Sequence, residues 1–199
     1  MPMPSIVLLA RHGETEWNVA RRPQGRLDSP LTERGREHAE ALARLVDHLK
    51  VDAIFTSPLG RAAATAARCG DRTGLPVQII EELAELDHGR MAGLTVEQAE
   101  IHFPGEWARR RNDKYGWRFP GGESYADADL RAAHAVSRVS GQRALVVAHE
   151  MIGRMVARHL LSISPSEALL RSQPNEVVYR IDTRTGVEQE LRTTDLVKP

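Results

Sequence analysis

Apolar residues fall into two kinds of run along the chain. "SIVLLA" (5–10), "DAIFTS" (52–57), "PVQII" (76–80) and "RALVVAH" (143–149) are short and nearly continuous. Runs of that length predict strands buried on both faces, the habit of a parallel sheet. Between them, apolar positions recur at helical spacing. In "TERGREHAEALARLVDHLK" (32–50), Ala39, Leu42, Leu45, Val46 and Leu49 share one face, and Thr32 is placed to cap the first turn. "SPLGRAAATAARCGDRTG" (57–74) predicts a second helix, with Ser57 as N-cap, Pro58 at the first position and Gly74 as the stop. Ser124–Val139 predicts a third, opened by a Ser124-x-x-Asp127 arrangement that resembles a capping box. "EMIGRMVARHLLS" (150–162) predicts a further helix. "EVVYRID" (176–182) and "VEQELRT" (187–193) predict a closing hairpin around Thr183–Gly186. Residues 19–31 read as loop, broken by Pro23, Gly25 and Pro30, and 81–120 is irregular and rich in Gly, Trp and charge. The last few residues are expected to fray.

The alternation of strand and helix predicts an α/β fold: a three-layer αβα sandwich with a mostly parallel central sheet and helices on both faces. A chain of 199 residues fits one domain over 1–199.

Composition adjusts this picture only slightly. Hydrophobic residues at 41% and charged residues at 27% supply a packed core. Lys+Arg and Asp+Glu number 27 each, so a formal net charge of zero makes no electrostatic case for nucleic acid. The single cysteine, Cys69, cannot form a disulfide within the chain and suits a reducing compartment. The apolar stretch Ile6–Ala10 has no basic region before it and is cut short by Arg11, unlike a signal peptide. No segment approaches the length of a membrane span. These features predict a cytoplasmic protein with no nucleic-acid or membrane partner.

The predicted strand ends direct the search for chemistry, because open α/β sheets bind ligands beyond the carboxyl ends of their strands. One end carries Arg11-His12-Gly13. Another carries Thr56-Ser57-Pro58, with Arg61 in the first turn of the following helix. A third carries His149. Taken singly, each histidine reads as a polar strand end and Arg61 as a surface residue on an Ala-rich helix. Yet an arginine in a first turn opposes the helix dipole and favours an anionic partner. Two arginines and two histidines together specify a pocket for a phosphate-like dianion, with guanidinium forks as donors and imidazoles able to attack or donate.

Competing chemistries lack their residues. Gly153 stands where a zincin helix opened by His149-Glu150 would need its second histidine, and Leu75 where a Cys69 phosphatase would need arginine. No Walker loop, G-x-G-x-x-G or G-x-S-x-G occurs. His38, His48, His134 and His159 show no ligand spacing and read as surface or packing residues. No metal and no cofactor is expected.

Several blocks, in order from Val7 to about Leu161, extend this reading: "LLARHGETEWN", "QGRLDSPLTERG", "FTSPLGRAAATA", "LAELDHGRMAGLT", "FPGGESYAD" and "LVVAHEMIGR". The series resembles the histidine phosphatase, or phosphoglycerate-mutase-like, superfamily. The resemblance implies that fold and a covalent mechanism. It matches His12 to the nucleophile that becomes phosphohistidine, and Arg11, Arg61 and His149 to the phosphate pocket. It matches Glu85 to the acid that protonates the leaving oxygen and then activates water. Asn18 matches a residue that hydrogen-bonds the phosphate, and Thr15, Gln24 and Gly25 match lesser contacts. The attacking nitrogen of His12 must be neutral, so its other ring nitrogen is expected to donate to a backbone carbonyl such as that of Gly13.

The chain is short where the mutase branch carries an insertion after its acid. "ARRRNDKYGWRFPGGESY" is instead similar to the fructose-2,6-bisphosphatase domain. That similarity puts Arg110, Lys114, Tyr125 and Arg154 on second-phosphate and sugar contacts, within an irregular specificity segment at about 86–123. The kinase domain that often accompanies such a domain is not expected here. Two departures count against fructose 2,6-bisphosphate itself. Val96 replaces an expected tyrosine, and Glu150 follows the second histidine where Gly or Gln is common. That carboxylate opposes an anion unless Arg154 or Arg61 neutralises it, or it accepts hydrogen bonds from substrate hydroxyls.

The resulting expectation is a phosphomonoesterase acting on a small phosphorylated metabolite, a sugar phosphate, with a homodimer as one admissible assembly. A cofactor-dependent phosphoglycerate mutase is the alternative enzyme. A non-catalytic phospholigand- or RNA-binding module is the alternative of another class. Residues 105–118 hold Arg109, Arg110, Arg111, Lys114 and Arg118 against Glu106 and Asp113, which agrees with the second-phosphate contacts and equally fits a solvated basic helix face.

Overall fold

A computed structural model of the chain describes residues 3–193. The apolar runs become β1 (Ile6–Arg11), β2 (Ala53–Thr56), β3 (Val77–Ile79) and β4 (Arg143–Ala148), which pair in parallel in the order β3-β2-β4-β1. The closing hairpin, β5 (Val177–Asp182) and β6 (Val187–Arg192), continues the sheet in antiparallel pairing beyond β1. Side-chain alternation divides the strands between two cores. Val7, Leu9, Ala144, Val146 and Ala148 face one, and Leu8, Ala10, Leu145 and Val147 face the other.

Helices cover both faces. A one-turn α1 (Glu16–Val19) is followed by α2 (Glu33–His48) and α3 (Gly60–Thr73), which pack together over the Leu8 side. After the short α4 (Val96–His102) and α5 (Glu106–Asn112), α6 (Tyr125–Arg138) and α7 (Glu150–Leu161) pack over the Val7 side, and α8 (Pro165–Leu170) abuts α7. The fold is therefore the expected αβα sandwich. Among the described residues no helix is long and apolar enough to cross a membrane. The expected fraying falls on residues 194–199, outside the described residues.

Most predicted helix ends hold. Thr32 accepts from the Gly35 N–H, Ser124 and Asp127 form a reciprocal capping box, and Gly74 closes α3 in the left-handed region at φ 72°. Ser57 does not cap α3. The helix starts at Gly60 with Leu59 before it, and Ser57 Oγ instead accepts from the Leu59 N–H and meets His149. Pro58 lies in that turn, before the helix. Within 81–120 the chain forms two 3-10 turns, at Glu81–Leu83 and Gly89–Met91, then α4 and α5. With α1 and α8 these are too short for a hydrophobic period to show in sequence.

The sheet order brings three carboxyl ends together. The His12 N–H donates to the Ala148 carbonyl at 3.1 Å and the Ser57 N–H to the Val147 carbonyl at 3.0 Å, extending the ladders past the strands. Gly13 then passes so close to the start of α2 that a Cβ would overlap the Gly35 carbonyl oxygen.

Candidate active site

A cleft of about 330 Å³ opens at that sheet edge. His12 lies in it, 2% exposed, with Nδ1 2.7 Å from the Gly13 carbonyl oxygen. A carbonyl only accepts, so Nδ1 carries the proton and Nε2 the lone pair. Arg61 Nε donates toward that lone pair at 3.2 Å. From the far side Asn175 Nδ2 donates to the His12 carbonyl at 2.6 Å, fixing the backbone that carries the ring.

Arg61 is buried in the first turn of α3, as its position predicts. The residue 19–31 loop wraps its guanidinium: Nη1 donates to the Leu27 carbonyl (2.7 Å) and Asp28 Oδ1 (2.9 Å), and Nη2 to the Gly25 carbonyl (2.8 Å). His149, 1% exposed, sets its ring centroid 5.2 Å from that of His12 and meets Ser57 Oγ through Nε2 at 2.7 Å. Burial holds both imidazoles well below the ordinary histidine range. For His12 the Arg11 and Arg61 charges add to this, against the Gly13 hydrogen bond; for His149, Arg61 adds most after burial.

Glu85 lines the cleft with a carboxylate anchored in backbone. Oε1 accepts from the Leu86 and Ile152 N–H groups, both at 2.9 Å, and Oε2 from Met151 N–H at 3.0 Å. It thereby satisfies free donors at the start of α7. Arg131 steadies the preceding turn by donating to the Glu82 (2.6 Å) and Ala84 (3.0 Å) carbonyls.

Arg11 Nη1 donates to Glu150 Oε2 at 3.1 Å and to the Gln173 carbonyl at 3.2 Å. Arg154 Nη2 donates to Glu150 Oε1 at 2.7 Å. The Glu150 charge is thus met by Arg154 and Arg11. Arg61, the other neutraliser expected from sequence, is committed to Asp28 instead. Arg154 also bonds the Tyr125 hydroxyl and the Arg171 carbonyl.

The expected contacts separate by depth. Asn18, Gln24, Gly25, Arg110, Glu150 and Arg154 line the cleft. Thr15 lies beneath it, wholly buried, where Oγ1 caps α1 and accepts from Gln24 Nε2 at 2.8 Å. Tyr125 is buried behind Arg154, and burial pushes its hydroxyl up to about 12. Lys114 donates to the Leu169 carbonyl at 3.0 Å and does not line the cleft. Val96 is 54% exposed at the start of α4 and shares a groove with Trp107 outside the cleft. A larger groove, about 760 Å³ along α2 and α3, contains none of His12, Glu85 and His149, so size does not locate the chemistry.

The histidine phosphatase superfamily (branch 1) family model matches residues 7–195. The chain belongs to the histidine phosphatase superfamily. The fructose-2,6-bisphosphatase of Saccharomyces cerevisiae is 31% identical over 92% of the chain, and human 6-phosphofructo-2-kinase/fructose-2,6-bisphosphatase 1 is 32% identical over 89%. The chain spans only 40% and 37% of those two proteins. Phosphoserine phosphatase 1 of Hydrogenobacter thermophilus is 33% identical over 81% of the chain and 78% of its own length. Among solved structures, the α-ribazole phosphatase of Shigella flexneri superposes with a TM-score of 0.84 at 26% identity, covering 94% of this chain and 95% of that one. A mycobacterial glucosyl-3-phosphoglycerate phosphatase does so at 0.79 and 31% identity, covering 89% and 92%.

Several residues beyond the predicted set belong to this histidine phosphatase cleft. Trp17, Arg21, Arg22, His88 and Met151 also line it. His88 is 5% exposed, stacks on Phe119 at 4.2 Å and points Nε2 at Met151 Sδ, 3.3 Å away. Burial, then the Arg110 charge, pushes it down to about 4. Its place three residues after Glu85 was the available signal. Asp28 and Asn175 offered none, since they act on residues 33 and 163 positions away.

Proposed function

We propose that this chain is a phosphomonoesterase that works through a phosphohistidine and takes a small sugar phosphate. The observation that carries the reading is the state of His12. Its Nδ1 proton is committed to the Gly13 carbonyl, so the lone pair is on Nε2, where the Arg61 Nε–H meets it at 3.2 Å; a phosphate that draws this N–H to its own oxygen leaves Nε2 as the nucleophile.

In the first half-reaction Nε2 attacks phosphorus as the bond to the ester oxygen breaks, and Glu85 supplies the proton that leaves with the alcohol. Arg11, Arg61, Asn18 and His149 surround the three equatorial oxygens, where charge gathers in the transition state. In the second half-reaction the Glu85 carboxylate takes a proton from water. The water oxygen bonds to phosphorus, the N–P bond breaks, and inorganic phosphate and neutral His12 are released.

Cleft size and relatives support a small substrate. About 330 Å³ suits a metabolite, and the relatives' names include sugar-phosphate and phosphoserine phosphatases. Arg110 lines the cleft beside the Glu150–Arg154 pair, so cationic and acceptor groups are both available to a phosphorylated polyol.

The test is release of inorganic phosphate from p-nitrophenyl phosphate and from a panel of sugar phosphates. We expect turnover, trapping of labelled phosphate on the native chain, and loss of both in His12→Ala. Label retained covalently by His12→Ala would overturn the nucleophile. Isomerisation of 3-phosphoglycerate without phosphate release would replace hydrolysis by mutase activity.

A further inference from the structure

Ser57 stands wholly buried at the end of β2, its hydroxyl 2.7 Å from His149 Nε2. A serine hydroxyl carries one proton and two lone pairs. The Leu59 N–H donates to Oγ at 3.2 Å and occupies one lone pair. Among the described residues, His149 Nε2 is the only acceptor within reach of the Ser57 proton. If the imidazole donated instead, the Ser57 proton and the Nδ1 lone pair would both be buried without partners, whereas with Ser57 donating only the Nδ1 proton is left unpaired. Ser57 therefore donates and Nε2 accepts.

A neutral imidazole has a single N–H. With Nε2 as acceptor, the proton lies on Nδ1. That atom is buried and has no partner among the described residues. It belongs to a ring 5.2 Å from that of His12. An unpartnered buried donor beside the nucleophile lacks an acceptor that an anionic oxygen would supply.

We propose that Ser57 is a positioning residue that locks His149 in its Nδ1–H tautomer, so that a neutral donor faces an oxygen of the transferred phosphoryl group. The two rings thus share one tautomer for opposite purposes. His12 is set by an acceptor on Nδ1 and keeps its lone pair on Nε2, against the Arg61 N–H; His149 is set by a donor on Nε2 and keeps its proton on Nδ1. The identity of the oxygen rests on the proposed phosphatase reading, whereas the tautomer rests on hydrogen-bond geometry alone.

Long-range ¹⁵N–¹H spectra of the ¹⁵N-histidine-labelled chain read the tautomer directly, with His149→Asn assigning the signal. We expect Nδ1 protonated and Nε2 bare in the native chain, and a shift toward the Nε2–H form in Ser57→Ala. For p-nitrophenyl phosphate, Ser57→Ala should lower kcat by about tenfold to a hundredfold with KM within about twofold, and Ser57→Thr should restore both spectrum and rate. A native His149 in the Nε2–H or imidazolium form at neutral pH would overturn the proposal. So would a Ser57→Ala chain with unchanged spectrum and kcat. An Nδ1–H tautomer in a chain that releases no phosphate from any ester would sink the phosphatase reading and leave the tautomer assignment standing.

Discussion

Glu85 serves two ends with one carboxylate: it lines the cleft, and it caps α7 through the Met151 and Ile152 N–H groups. These roles separate by mutation. Glu85→Gln keeps an acceptor oxygen but has no proton to exchange, so kcat should fall about 10²–10⁴-fold while the fold holds. Glu85→Ala should cost a further ~1–2 kcal/mol of stability by urea denaturation, because it removes the cap. Equal unfolding midpoints for the two variants would refute the capping role. Glu150 makes a different prediction. Its charge offsets Arg11 and Arg154 at the cleft wall. Glu150→Gln should therefore lower KM for a phosphate dianion several-fold at low ionic strength, with the difference shrinking as salt screens it. A KM that rises instead would point to Glu150 as a contact to the substrate's hydroxyls. At this scale the sequence made His12, Arg61, Glu85 and His149 legible, because each sits in a block of known order. Asp28 and Asn175 stayed illegible, since a polar residue in a loop reads alike whether or not it reaches a buried arginine or a backbone carbonyl.

At the level of elements, the joint between β1 and α2 governs where His12, the proposed nucleophile, sits. Gly13 and Gly35 let the backbones touch, and the nearest atoms a Cβ on Gly13 would meet are Gly35 backbone, its carbonyl oxygen closest of all. Gly13→Ala should cost about 3 kcal/mol by urea denaturation and should depress kcat even where the chain still folds, because His12 moves with the strand end. Native stability and native rate in that variant would show that the joint yields freely. Long elements were readable from period and caps: β1, β4, α2, α6 and α7 appear within a residue or two of their expected bounds. The start of α3 was not. A serine before a proline is a strong cap signal, but here a histidine from another strand claims the hydroxyl.

Three buried histidines, His12, His88 and His149, shape the stability of the whole molecule. All are held below the ordinary value, first by burial. Above pH ~6.5 the folded and unfolded chains are both neutral at these sites and gain no difference from them. Below it the unfolded chain takes up protons that the folded chain refuses, so stability falls as the pH falls. For His88 that window runs from about 6.5 down to about 4, amounting to roughly 3 kcal/mol. Urea denaturation between about pH 7.5 and pH 4.5 should show the decline, and His88→Phe should reduce its slope by close to one proton. A stability flat across that range would contradict the burial of these rings as neutral groups.

Apolar period alone dictates the sandwich and which residue types stand at its strand ends. Those follow from short-range periodicity and from residues adjacent to apolar runs, which act over a few positions. How the site is tuned comes from packing. The fold brings Ser57 to His149, Asn175 to the His12 carbonyl and Arg11 to Glu150. It buries Thr15 and Tyr125 and leaves Lys114 and His149 out of the cleft lining. Those three bonds join parts of the chain far apart in sequence, so the packing of the sheet chooses the partners; the His12–Gly13 and Glu150–Arg154 bonds are local.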